Sequence, residues 1–236
     1  MDTLIGIWNN LSSMAGTVGS AAGGVLATNT KTMDMAQLMA LAAALGWASG
    51  IRLYLVVFIT GLAGMLGWLP LPSGLQLLQH PAMLAGSGFM LFVEFFADKI
   101  PGVDSLWDMV HSVIRVPAGA ALAAGVFGAD SATMSSVAGL LGGALAATSF
   151  ATKASTRAAV NTSPEPFSNI AVSLLEDGLV MGMMWLATNH PAAFGVTLAI
   201  VLVLSLWLLL VLVKYLKAIW RKLSGWFSKD DLALTP

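Results

Sequence analysis

The sequence predicts an all-α, polytopic membrane protein with about six to seven spans, some of them broken or re-entrant. Two observations carry this. Of 236 residues, 57% are hydrophobic and only 10% are charged, with a mean hydropathy of +0.83; a soluble domain carries roughly 25% charged residues. Several uncharged runs also approach the roughly 20 residues needed to cross a bilayer, and they are too continuous for the alternating pattern of an outer-membrane barrel.

The elements follow in order. Residues 1–34 are weakly apolar and rich in Gly, Ser, Ala and Thr, an interfacial lead-in that lacks the positive start of a signal peptide. Spans are expected at 35–50 and 51–69, joined through "GWASGIR" without a loop, and at 82–99, ending in "VEFFADK". After "IPGVD" come an amphipathic stretch over 105–116 and a short apolar one over 117–129. Spans at 133–153, 167–187 and 192–213 complete the transmembrane domain, and 214–236 form a basic amphipathic tail. "FADK" at 96–99 recurs as "FATK" at 150–153, so 35–128 and 129–213 read as two three-helix halves, a habit of transporter folds.

Basic residues set the expected orientation. The connections 70–81, 129–132 and 188–191 contain no Lys or Arg. The opposite side collects Lys99, Lys153 and Arg157, then Lys214, Lys217, Arg221 and Lys222. The positive-inside rule makes that side, with the C-terminus, cytoplasmic. The absence of cysteine excludes thiolate catalysis, disulfides and Cys-ligated metals. A net charge of −1 argues against nucleic acid as a partner. No cofactor and no metal site is expected.

Outside the two tails, nearly every ionisable residue falls into four short patches: Arg52; Glu94 to Arg115; Lys153 to Glu165; and Glu176 with Asp177. Lipid-facing charge costs several kcal/mol, so such residues turn toward a bundle interior or a cavity. Helical spacing agrees. Glu94 and Asp98 share a face, as do Lys153, Arg157 and Asn161, and a third stripe joins Asn169, Ser173 and Glu176 or Asp177. On the amphipathic stretch Asp104, Asp108, His111 and Arg115 share one face, with Trp107, Val110 and Ile114 opposite. Four elements with one polar stripe each are most economically arranged around one polar centre. Topology signals and helix-end ion pairs are the plainer alternative, but they explain neither Arg52, apolar on both sides, nor Glu176, about ten residues into its span.

The segment "NTSPEPFSN" at 161–169 deepens this picture. Each proline pushes the residue before it out of helical conformation, so Ser163 and Glu165 should be extended. Pro166 suits the first turn of the next helix. Non-helical backbone at membrane depth is tolerated only where it is buried in protein or lines a cavity. The segment therefore reads as a broken-helix lining.

"EFFADKIPGVDSLWD" (94–108), "KASTRAAVNTSPEPFSN" (153–169) and "EDG" (176–178) together resemble the bacterial membrane family of domain of unknown function 4126, over roughly residues 40–190. The resemblance implies a multi-pass inner-membrane protein and supplies no substrate.

Chemistry then sets the functional expectation. Between positions 52 and 177, five cations compete with eight carboxylates. The expected function is a small transporter. Its substrate side would be Arg52, Lys99, Lys153, Arg157, Asn161, Ser163, Glu165 and Asn169, holding a small anionic solute or a lipid phosphate. Glu94, Asp98, Asp104, Asp108, His111, Glu176 and Asp177 would couple ions or protons. A structural protein whose polar core fixes helix packing and homo-oligomerisation is the alternative. An enzyme using His111 with Asp104 and Asp108 is a third reading, and a thin one, since three residues on one helix make a poor site. Small-residue runs such as "AGAALAAGVFG" and "AGLLGGALAA" should allow close helix approach.

Overall fold

A computed structural model describes residues 33–100, 102–128, 131–162 and 166–230, without the side chains of 166 and 222–230. Every regular element among the described residues is a helix. In chain order the elements are α1 (Met35–Met65), a 3-10 helix (Ser73–Gln79), α2 (Pro81–Ala97), α3 (Val103–Phe127), α4 (Ala132–Val160), α5 (Pro166–Asn189) and α6 (Pro191–Asp230). Five of them, α1, α3, α4, α5 and α6, contain stretches long and apolar enough to cross a membrane. The 3-10 helix and α2 together make a further apolar pair, bent by 68°.

Helix α1 holds the two segments expected at 35–50 and 51–69 as two helical arms that meet without a loop. It is one element broken at Arg52, whose backbone (φ −142°, ψ 70°) is not helical. The break reverses the chain. Met33 and Gln37 from its start and Ile59, Thr60 and Ala63 from its end line the same cavity. A straight helix would hold Gln37 and Ala63 roughly 39 Å apart at 1.5 Å per residue. So α1 is a hairpin with Arg52 at its tip, and its two arms, each too short to span comfortably, need not cross.

The hairpin is the centre of the fold. Of its most apolar stretch 72% is buried, against 6% in α6. Leu41, Leu45, Trp47 and Val56 form its core with Ala123 and Val126 of α3 and Val180, Met183 and Ala187 of α5. The first arm lies against α3 and α4 through small residues: a Cβ on Gly46 would stand 2.5 Å from Gly142 Cα, and one on Gly119 3.1 Å from the Gly46 carbonyl. Close backbone approach is what small residues permit where no hydrophobic force distinguishes protein from lipid.

Local chemistry fixes the helix ends. Asp34 caps α1 in a capping box with Gln37, the two bonds measuring 2.8 and 3.0 Å. Pro81 opens α2, and the His80 ring accepts from Ala82 N at 3.2 Å, so His80 is a cap residue. Gly102, at φ +85°, supplies the left-handed turn between α2 and α3. The stretches 105–116 and 117–129, expected as two elements, are the single helix α3, which continues through Pro117 to Phe127. Helix α6 likewise runs without interruption from the apolar 192–213 into the basic residues as far as Asp230, so the expected tail is for the most part a continuation of that helix. The lead-in before residue 33 and positions 231–236 lie outside the described residues.

The helices define two faces. The Trp68 face carries the α1 ends, the 3-10 helix and the α5–α6 turn. The Asn161 face carries the α2–α3 turn and the end of α4.

Candidate functional site

The tip of α1 is where the polar stripes meet. Burial on α3 falls on Asp104, Asp108, His111, Arg115 and Gly119, the spacing of one helical face. Val110 and Ile114 face outward, as expected, while Trp107 is half-buried because its ring stacks on His111. On α4, Lys153 and Arg157 are buried one turn apart, and α4 continues past 153 to Val160 as their spacing required. Helix α2 contributes Glu94 with Asp98 at its end; α5 contributes Asn169, Ser173 and Glu176.

Arg52 is fully buried and donates to the Asp98 carboxylate, to Ser173 Oγ at 2.7 Å and to the Ser173 carbonyl at 3.2 Å. Its Nε lies 2.9 Å from Asp177 Oδ1 and 3.6 Å from Glu176 Oε2 without a hydrogen bond to either. Arg115 bridges Glu94 (2.6 Å) and Asp108 (2.7 Å). Arg157 donates to both Glu176 oxygens, at 3.2 and 2.9 Å, and to the Asp98 carbonyl at 2.8 Å. Such two-point guanidinium–carboxylate contacts fix geometry as well as charge.

Lys153 is the hub. Its ammonium stands 3.2 Å from Asp108, 3.6 Å from Asp98 and Glu176, and 3.9 Å from Glu94. It also donates to the Ile51 carbonyl at 3.0 Å. The break at Arg52 takes that carbonyl out of the regular helical pattern, and the lysine satisfies it, as buried backbone requires.

At the Asn161 face a second polar chain closes the network. Asn161 Nδ2 donates to both Asp104 oxygens (2.9 and 3.0 Å), and Asn169 Nδ2 donates to Asn161 Oδ1 (2.9 Å). Asp104 Oδ1 also accepts from the Gly102 and Ser105 amides, capping α3. Ser163 and Glu165 lie outside the described residues.

Not every expected residue enters the centre. Lys99 turns aside: its ammonium lies 2.9 Å from the Phe95 ring centroid and donates to the Phe95 carbonyl at 2.8 Å. Lys99 and Lys153, matched by the "FADK" and "FATK" echo, therefore sit in different surroundings. His111 bonds the Trp107 carbonyl (2.8 Å) and packs edge-on to Tyr54, with no hydrogen bond to Asp104 or Asp108. Among the described residues no group of three His, Asp or Glu is arranged to hold a metal ion. Sequence reasoning did not single out Ser149, which donates to the Trp47 carbonyl at 2.6 Å; nothing in "ATSFATK" distinguishes it from the neighbouring hydroxyls.

In total the network sets four cations, Arg52, Arg115, Lys153 and Arg157, against six carboxylates, a formal excess of two negative charges when all are ionised. Among the described residues, Glu94, Asp98 and Asp108 each keep one buried oxygen without a hydrogen-bond partner. Buried carboxylate is costly unless paired, and in each of the three the other oxygen meets an arginine.

The family described as Domain of unknown function (DUF4126) matches residues 39–211, which contain the whole network. Comparison with curated proteins and with solved structures finds no match.

Proposed function

We propose that this chain, which belongs to the family described as Domain of unknown function (DUF4126), is a small proton-coupled transporter of a charged solute whose gate is the tip of α1. One observation carries the reading: a helix breaks at a fully buried arginine, and charged side chains from α2, α3, α4 and α5 converge on the break. Broken helices whose freed backbone faces charged groups are how many secondary transporters hold substrate and coupling ion. The excess of carboxylate over cation and the three unpartnered oxygens favour a proton as the coupling species. An anionic solute would bind Arg52, Arg115 or Arg157 only by displacing Asp98, Glu94, Asp108 or Glu176, which ties solute binding to rearrangement of the network. In this reading the Asn161 face is cytoplasmic, since the basic end of α6 lies there.

A second reading, a structural polar core that fixes helix packing, is favoured by one feature: the guanidinium groups already have carboxylate partners and are buried to within 1%. A thermal-stability screen in detergent separates the two, using organic anions, phosphates, lipid phosphates and simple salts at acid and neutral pH, with wild type beside Arg157→Gln. Transport predicts a wild-type shift confined to one ligand class or one pH, lost in the variant. A structural core predicts no ligand- or pH-specific shift, with the variant itself strongly destabilised.

A further inference from the structure

A groove on the flank of the bundle holds chemistry that the network does not use. It has a volume of about 490 Å³ and runs between the second arm of α1, α2 and α5. Four phenylalanines, Phe58, Phe92, Phe95 and Phe96, line it, and Asp177 is the one ionisable side chain among the described residues of its lining. Phe92 and Phe96 are more than half exposed and meet edge to face at 4.9 Å, and Phe95 meets Phe96 in the same way at 5.5 Å. This is an aromatic wall with a carboxylate at its base.

Asp177 is held unlike its neighbour. Glu176 receives two hydrogen bonds from Arg157, whereas no hydrogen bond among the described residues reaches the Asp177 carboxylate. Its close cationic contact is Arg52 Nε, at 2.9 Å and misdirected for a hydrogen bond. Its side chain remains 22% exposed, on the groove side. Asp177 stands eleven residues after Pro166, roughly 16 Å along the helix axis. At that depth Arg52, and at longer range Lys99, already offset the charge from the protein side, and the exposed edge of the carboxylate is left in an apolar wall that favours a further positive charge there. The same phenylalanines already accept one ammonium, that of Lys99 over Phe95.

We propose that this groove binds a lipophilic cation, an organic ammonium or phosphonium whose charge meets Asp177 and whose apolar groups lie on the phenylalanine rings. Ring faces attract cations and repel anions, and Asp177 does the same. An acyl chain would fill the volume and leave the carboxylate uncovered. A cation on Asp177 also competes with Arg52 for that carboxylate, which couples the groove to the tip of α1. Binding itself requires no transport, so the site stands or falls independently of the transporter reading.

The test is equilibrium dialysis of tetraphenylphosphonium against the full chain in detergent, with protein-free micelles as the blank and tetraphenylborate as the anion of the same shape. Saturable phosphonium binding is expected, with the borate excluded. Asp177→Asn should weaken it by about tenfold, the order an ion contact with cation–π support contributes. Phe92→Leu, a change at an exposed position, should weaken it less and leave the melting temperature unchanged. Thr60→Val, in the cavity on the Trp68 face and outside the groove's lining, should leave it intact. Equal uptake of both ions, non-saturable uptake, or unchanged affinity in a folded Asp177→Asn or Phe92→Leu variant would each overturn the proposal. The comparison of the two ions on wild type decides the matter even where Asp177→Asn does not fold.

Discussion

The two ends of the α1 hairpin and its tip belong to one helix and lie in opposite chemistries. At the ends, a cavity of about 880 Å³ opens on the Trp68 face, lined by Gln37, Thr60, Trp68, Gln79, Trp185 and Asn189 among others, with no ionisable side chain among the described residues of its lining. At the tip, eight residues away from Thr60 along the same arm, Arg52 is buried among carboxylates. Nothing in the composition of α1 sets these apart, since both arms are apolar. The difference is made by the break, which frees the Ile51 carbonyl for Lys153 and turns one guanidinium into the meeting point of α2 and α5. The lesson is that a short unwound stretch, placed deep, converts an apolar hairpin into the organiser of a charged core.

That contrast can be broken most severely at the tip. Arg115→Leu leaves Glu94 and Asp108 buried with one fewer cation, and Arg52→Gln does the same to Asp98. Removing one partner of a buried pair costs about 3–5 kcal/mol, so both variants should show a large fall in melting temperature in detergent or fail to accumulate. A smaller loss is expected on the hairpin flank. A methyl group on Gly50 would run into the Ala146 carbonyl and the Ser149 hydroxyl, and overpacking of this kind costs about 1–3 kcal/mol. Gly50→Ala should therefore melt earlier, with Ser149→Gly restoring part of the loss by making room. Asn161→Ala should cost about 1.5–3 kcal/mol, the range for hydrogen bonds to a charged group, because it strips Asp104 and Asn169 of a partner; urea or thermal titration would read it. The smallest effect is reserved for Lys99→Met. Its ring contact is worth about 0.5–1 kcal/mol, and a loss as large as that of Arg115→Leu would show that Lys99 belongs to the network after all.

Much of the polar centre was legible because helical periodicity is a property of the sequence alone. Asp104, Asp108, His111 and Arg115 share a face by spacing, and burial follows that face. Lys153, Arg157 and Asn161 follow the same logic along α4. Hydropathy also located the apolar stretches, because bilayer thickness sets their length. The path of the chain was less legible. "GWASGIR" announces a break, but only tertiary contacts decide whether the chain turns back there. Spacing likewise could not distinguish Lys99 from Lys153, whose local sequences are alike; α2 ends at Ala97, before Lys99, whereas α4 runs on past Lys153 to Val160, and one ammonium meets a ring face while the other meets four carboxylates. The flank groove was invisible because Phe58, Phe92 and Asp177 are far apart in sequence and meet only through packing.

The central claim is that the closed network at the α1 tip opens as part of the protein's work. The chain contains no cysteine, so a single introduced thiol reports without background. Ser173 is the position to use: its Oγ lies 2.7 Å from Arg52 Nη2 and it is fully buried. Ser173→Cys protein in vesicles should be modified by a small membrane-impermeant thiol reagent while folded, at a rate that, relative to a free thiol at the same pH, differs between acid and neutral pH. A thiol that stays unmodified at every pH until the protein is denatured would contradict the claim and leave the network a fixed structural core.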